Sequence, residues 1–201
     1  MKALRTSLIA LSVLAVAACN SETKREAEQK VDKAENDIEN AAAATGNALG
    51  NVGQSLMPTP SGQEFADRLA RSDAFEIAAA KLAATNAQSA QVKAFARTMI
   101  DAHTASSEKV KKAAGAAQPA ITPNATLTKE QEEDLAKLKA LKGARFDEEY
   151  IDEQVDAHED ALDLLRKYAA DGTVPSLKTA AGEIAPIVEK HLADARSLDK
   201  D

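Results

Sequence analysis

The sequence is poor in the residues on which many active sites depend. Its 201 residues include no Trp, one Cys and three His, and aromatic residues make up only 3% of the chain. A single cysteine excludes a framework of disulfides within the chain. The sequence also shows no Gly-rich phosphate loop and no Ser–His–Asp arrangement, so an enzyme is the less favoured of the possible functions.

Strand signals are equally scarce. The chain has only eight Gly, and no stretch beyond residue 60 alternates apolar with polar residues for long enough to form a half-buried strand. Apolar residues make up 44% of the chain, and Ala, Leu, Ile and Val dominate among them, which allows helices to approach closely. We therefore predict an all-α fold.

The first residues resemble a bacterial export signal. Lys2 and Arg5 precede an apolar run of about ten residues from Leu8 to Ala17, which is too short to span a bilayer. The segment from Val16 to Cys19 resembles a lipobox, and a lipid-modified Cys19 would anchor the chain stably through several acyl chains. We predict a lipoprotein signal peptide at 1–18. The alternative is an ordinary cleavage site followed by a chance cysteine.

The segment at 19–60 is predicted to be the lipidated cysteine and a flexible tether, broken by Gly and Pro. As a coil its ~40 residues would reach ~35 Å on average. Lipoproteins retained at the inner membrane usually resemble one another in having Asp after the cysteine. Asn20 stands there in this sequence, and by that likeness we predict an outer-membrane location, with the protein facing the periplasm. The formal net charge is −7 without a basic or aromatic cluster, which argues against nucleic acid as a partner.

Helix start signals divide the remainder, 61–201, into a helical domain. The tetrapeptides that begin at Ser61 and Thr128 are capping boxes. We predict four long helices at about 63–85, 89–114, 145–170 and 176–198, with Ser176 capping the last, and one short helix after Thr128. Pro186 is predicted to kink the last helix without ending it. This pattern favours a four-helix bundle with one extra short helix.

Two of the three histidines occur in the same tripeptide, Asp-Ala-His, at 101–103 and 156–158. Positions 7 or 11 apart on a helix lie within about 20° of one another. By this measure every histidine points inward, whereas Asp101 and Asp156 face solvent. The apolar residues that share a face with the histidines include Met99 and Val110 for His103, Ile151 and Leu165 for His158, and Ile184 and Ile187 for His191.

One carboxylate interrupts the apolar face of the first long helix. Glu76 follows Phe65 and Leu69 at spacings of 11 and 7, and a buried carboxylate needs a partner or a shifted pKa. Glu76, His103, His158 and His191 all fall near the middle of their helices. Because the rise is 1.5 Å per residue, these four side chains are predicted to meet at one level of the bundle.

Four segments carry a family resemblance: FADRLARSDAFEIAAAKLA, VKAFARTMIDAH, FDEEYIDEQVDAHEDAL and IVEKHLADA. With them, residues 61–198 resemble the bacterial family called domain of unknown function 4142. This resemblance implies a ferritin-like fold, an exported or outer-membrane location, and inward positions at Glu76, His103, His158 and His191. It implies no particular activity.

A ferritin-type di-iron site is disfavoured, because such sites use Glu-x-x-His on two helices. The residues three before the histidines are Ile100, Val155 and Val188. Three interpretations stay open. Glu76 and the three histidines bind one divalent transition metal, such as Zn, Cu, Fe or Ni; they form a buried structural hydrogen-bond cluster; or they belong to a module that binds a small molecule or a partner.

Overall fold

The computed structural model describes residues 58–199, and every regular element within that range is an α-helix. The predicted all-α fold is confirmed, and the predicted helix ends lie within about one residue of the observed ones. The signal peptide at 1–18, Cys19 and all but the end of the tether at 19–60 lie outside the described residues. The helices are α1 Gly62–Asn86, α2 Ala90–Gly115, α3 Lys129–Ala140, α4 Ala144–Asp171 and α5 Pro175–Leu198.

The four long helices form a closed bundle. The hairpins α1–α2 and α4–α5 have the most extensive contacts, and α2 against α5 and α1 against α4 complete the ring. The short helix α3 packs on α1 and α4 at the outside of the bundle. None of the helices in 58–199 has both the length and the apolar character needed to cross a membrane.

Side-chain caps explain most of the helix starts. The capping box at Thr128 is confirmed: its Oγ1 accepts from the Gln131 N–H, and the Gln131 side chain accepts from the Thr128 N–H. At Ser61 only half of the predicted box is observed: Ser61 Oγ accepts from the Glu64 N–H, but within the described residues the Glu64 side chain makes no return bond to the Ser61 N–H. These bonds satisfy donors that a helix leaves open in its first turn.

The predicted cap at Ser176 is wrong. Helix α5 begins one residue earlier, at Pro175, with Val174 as its N-cap, because the fixed φ of proline suits the first turn of a helix. The Ser176 hydroxyl instead donates to the Ala113 carbonyl oxygen at 2.7 Å and ties α5 to α2. Pro186 lies inside α5, which continues to Leu198 as predicted.

One end of the bundle is fixed by contacts between the two hairpins. The Asp147 carboxylate on α4 accepts from the backbone N–H groups of Gln88 and Ser89, which precede α2. Gly143, the N-cap of α4, has a φ of 65°, and its N–H donates to the Asn86 carbonyl oxygen at 2.8 Å. Since residues other than glycine rarely adopt this φ, glycine allows α4 to start directly against the end of α1.

The apolar core has two parts, separated by a layer of polar side chains. One part contains Phe65, Val110, Leu165 and Leu177, and the other contains Ala83, Phe95, Met99 and Tyr150. Apart from Asn86 at the end of α1, the buried polar residues lie near the boundary of these two parts: on α1, α2 and α4 they fall between residues of the two parts, and on α5 His191 falls between Val188 and Leu192 of the first part. We call this set the polar layer; it consists of Asp73, Glu76, His103, Gln154, His158 and His191, all no more than 5% exposed.

Candidate metal centre

The three histidines meet in the polar layer, each from a different helix. His103 lies on α2, His158 on α4 and His191 on α5, and their ring centroids are 5.4 to 5.9 Å apart. One ring nitrogen of each lies within 4.8 Å of the corresponding nitrogens of the other two. The predicted convergence of the histidines is confirmed, and the solvent-facing positions of Asp101 and Asp156 are confirmed as well.

Asp73 orients the first imidazole. His103 Nδ1 donates to Asp73 Oδ1 at 2.8 Å, and the second carboxylate oxygen accepts from the Ser107 hydroxyl at 3.1 Å. With its proton on Nδ1, a neutral His103 has its lone pair on Nε2. A carboxylate behind the imidazole is the usual arrangement around a metal-bound histidine, because it fixes the tautomer and raises the basicity of the ligand nitrogen.

A backbone carbonyl orients the second imidazole. His158 Nδ1 lies 2.8 Å from the carbonyl oxygen of Gln154, one helical turn earlier. A carbonyl oxygen can only accept, so Nδ1 carries the proton and Nε2 has the lone pair. His103 and His158 therefore each have a fixed ring orientation and a fixed donor atom.

Three buried ring nitrogens remain without a hydrogen-bond partner among the described residues: His103 Nε2, His158 Nε2 and His191 Nδ1. We call them the open nitrogens. Nitrogen ligands at about 2.0–2.1 Å from an ion would lie roughly 3.5 Å from one another. One nitrogen of each ring already lies within 4.8 Å of one nitrogen of each other ring, so ring movements on the order of 1 Å would bring three imidazole donors to this spacing. The residues present fit one transition-metal ion.

The electrostatics of the layer favour neutral imidazoles at two positions. Burial, together with the charge of His103, lowers the pKa of His158 to about 3 and that of His191 to about 4. Burial also acts to lower the pKa of His103, but the hydrogen bond to Asp73 and the charge of Glu76 outweigh it and raise that pKa. His103 is therefore the one histidine at which a proton competes with a metal near neutral pH.

Glu76 lies in the layer but outside the group of three ligand atoms that the described residues form. Its Oε2 accepts from the Gln154 side-chain amide. Burial raises the pKa of Glu76 to about 7, against the opposing effects of His103 and of the bond to Gln154. Its predicted role as a fourth ligand stays a prediction, and the structure assigns it a bond with Gln154 and an electrostatic interaction with His103.

The raised pKa of Glu76 predicts that this residue destabilises the fold as the pH rises. A carboxyl group whose folded pKa lies above its unfolded value contributes stability below about pH 4.5 and loses it as the pH rises through about 7. We therefore expect Glu76→Gln to be more stable than wild type at pH 8, both without metal. This advantage should be about 1–3 kcal/mol larger at pH 8 than at pH 5. Urea unfolding measures the free energy of unfolding of the variant and of wild type at each pH. If the variant differs from wild type by the same amount at pH 5 and at pH 8, the prediction is wrong.

The lowered pKa of His158 predicts the opposite dependence of stability on pH. A histidine whose folded pKa of about 3 lies below the unfolded value of 6.5 contributes stability that is lost as the pH falls from 6.5 towards 3. Between pH 6.5 and pH 4 the metal-free wild type should therefore lose about 3 kcal/mol more stability than metal-free His158→Gln does. Parallel slopes for the variant and wild type in this range would show that His158 does not titrate in this way.

Sequence reasoning missed two members of the layer, Asp73 and Gln154. Asp73 lies three residues before Glu76 on the same helix, a spacing that puts both side chains on one face, so an acidic pair beside the core was a usable signal. Gln154 lies four residues before His158. A glutamine on a buried face has no distinctive pattern in the sequence, and only the packing of α1 against α4 shows its contact with Glu76.

Comparisons with known proteins agree with this architecture. A family model described as domain of unknown function (DUF4142) matches residues 47–198. The solved structure of CopM in the Cu(II)-bound form resembles this chain with a TM-score of 0.61 at 16% identity, over 71% of this chain and 98% of that one. CopM in the Cu(I)-bound form gives a TM-score of 0.57 at 16% identity, over 69% and 94%. No curated protein matches the sequence.

Proposed function

We propose that this chain, which belongs to the domain of unknown function 4142 family, binds one copper ion through His103, His158 and His191. The open nitrogens are the observation that carries the proposal. Each is buried in the interior of the bundle, and each comes from a different helix, so a bound ion would join α2, α4 and α5. Asp73 and the Gln154 carbonyl would hold two of the three rings in their binding orientation.

A purely structural cluster accounts less well for these contacts. A buried polar network that only stabilises the fold is expected to satisfy its own donors and acceptors. Within 58–199, however, Glu76 Oε1 and Gln154 Oε1 lack a hydrogen-bond partner, as the open nitrogens do. The layer provides partners for both oxygens of Asp73 and for Nδ1 of His103 and His158, but leaves the open nitrogens and the two Oε1 atoms without one. This distribution favours a centre that binds an ion over a cluster that only stabilises the fold.

The donor atoms and the fold both favour copper over other divalent ions. Imidazole nitrogen suits Zn, Cu, Fe and Ni, and among divalent first-row ions Cu²⁺ has the highest intrinsic affinity for such donors. In addition, the fold resembles that of CopM, which has been solved with Cu(I) and with Cu(II). Copper is thus the most favourable of the four metals for three imidazole donors in this fold.

Metal content tests the proposal. The chain is incubated with Cu²⁺ in the presence of equimolar Zn²⁺, desalted, and analysed for both metals. We expect about one copper per chain for wild type and for Asp156→Asn, which alters the exposed aspartate of the second Asp-Ala-His tripeptide. His191→Ala should retain far less copper. Equal copper in wild type and His191→Ala, or a preference for zinc, would contradict the proposal.

We also propose that the chain is a lipoprotein of the outer membrane, anchored through Cys19 and facing the periplasm. The basic residues, the short apolar run and the cysteine at its end support this location. Expression of wild type and Cys19→Ser in a Gram-negative host tests it. We expect wild type to gain the mass of a lipid anchor and to fractionate with outer membranes, and the variant to be released from them. An unmodified Cys19 in wild type would overturn the proposal.

A further inference from the structure

A small cavity adjoins the histidines on one side of the polar layer. It has a volume of about 250 Å³ and lies between α2 and α5, with Leu69 of α1 and Ala161 of α4 also in its wall. Most of its surface is apolar. Ile187 lies at its rim and is 47% exposed, the most exposed large apolar residue in the described part of the chain. An apolar cavity of roughly 150 Å³ already accepts a benzene-sized molecule.

Three polar atoms on residues of this wall are buried and have no hydrogen-bond partner within residues 58–199. They are Ser106 Oγ, His103 Nε2 and His191 Nδ1. Both histidines are only 5% exposed. A buried polar atom without a partner is costly in a native protein and calls for a water or a ligand group to satisfy it. An apolar pocket with a few convergent polar groups is the usual form of a small-molecule site.

The charged groups on the same wall are already paired. Lys109 Nζ binds Glu183 Oε2 at 2.5 Å, across the gap between α2 and α5. The two oxygens of Asp73 accept from His103 and Ser107. A charged ligand would therefore bring an uncompensated charge into an apolar space, which is unfavourable. The wall suits a neutral molecule.

From these features we infer that the cavity binds a neutral single-ring aromatic alcohol, a phenol. The ring would lie against Leu69, Ala161 and Val188, and the hydroxyl would donate to an imidazole nitrogen and accept from the Ser106 hydroxyl. A phenol is uncharged at neutral pH, since its pKa is near 10. This inference goes beyond the proposed copper site, and it concerns the metal-free chain, in which the open nitrogens are available for hydrogen bonding.

Fluorine NMR of 4-fluorophenol, titrated with the chelator-treated full chain, tests the inference. We expect saturable binding at one site with a Kd on the order of 1 mM, which is reasonable for so small a ligand. Fluorobenzene, which has the ring without the hydroxyl, should bind about fivefold more weakly or worse. Ser106→Ala should weaken binding of the phenol while leaving that of fluorobenzene unchanged.

Two variants on α2 form a matched pair. Ala105 lines the cavity, whereas Ala94 lies elsewhere on the helix, and both are exposed. Ala105→Phe should fill the cavity and weaken 4-fluorophenol binding at least tenfold, and Ala94→Phe should leave it unchanged. Binding that does not saturate, equal binding to both variants, or equal affinity for fluorobenzene would overturn the inference. Because no copper is present, none of these outcomes depends on whether the copper site is real.

Discussion

Replacing His158 with alanine is expected to weaken copper binding by roughly two to three orders of magnitude. Binding free energies of about 10–16 kcal/mol for ions held by four protein ligands correspond to about 2.5–4 kcal/mol for each ligand. In the proposed site His158 would supply one of three nitrogens, and the Gln154 carbonyl accepts from Nδ1 and orients the ring. Competition with a chromophoric copper chelator at pH 7.5 measures the change in Kd.

The control for this variant is Leu165→Ala. Leu165 lies two turns after His158 on α4, is fully buried, and belongs to the apolar core outside the polar layer. Its truncation should cost about 2–5 kcal/mol of stability but leave every donor nitrogen in place. We expect its copper Kd to stay within about threefold of wild type. A wild-type Kd for His158→Ala, or an equal loss in both variants, would contradict the assignment of His158 as a ligand.

Replacing Asp73 with asparagine is expected to weaken copper binding about 10- to 100-fold at neutral pH. Asparagine retains an oxygen that can accept from His103 Nδ1, so the ring orientation is kept, but the negative charge behind the imidazole is lost. His103 then becomes a weaker donor to the metal. Asp73 acts through His103, so we class it as a positioning residue and not as a ligand.

The pH profile distinguishes this role from a general loss of stability. In wild type the pKa of His103 is raised by Asp73 and Glu76, although burial opposes them, so below that pKa copper affinity should fall about tenfold per pH unit as a proton competes. In Asp73→Asn the fall should begin at lower pH. Ser107→Ala removes only the second bond to the carboxylate and should change little. An unshifted pH profile in Asp73→Asn would contradict the positioning role.

The levels and faces of the histidines could be predicted from the sequence, because they depend on helical periodicity alone. The predicted ends of the four long helices lie within about one residue of the observed ends, or about 1.5 Å along the axis. That precision is enough to bring His103, His158 and His191 to one level. It also separated the histidines from Asp101 and Asp156, each of which lies two positions before a histidine and on the opposite face of its helix.

The remaining features depend on packing that local patterns do not encode. The partner of His103 is Asp73, 30 residues earlier on a neighbouring helix, and nothing near His103 indicates it. Ile187 was expected to lie on the inward face of α5 but is 47% exposed, because at that level α2 presents the small residues Ala102 and Ala105, which leave the cavity beside it. A helical wheel records the direction of a side chain but not the size of what faces it.

The most direct test of the account is X-ray absorption spectroscopy at the copper edge on the chain loaded with one equivalent of copper. The chain contains only three histidines, so each imidazole in the copper shell can be attributed to His103, His158 or His191. We expect three imidazole nitrogens at about 2 Å from copper in wild type and two in His158→Ala. A shell of oxygen donors without imidazole, or the same spectrum in both proteins, would contradict it.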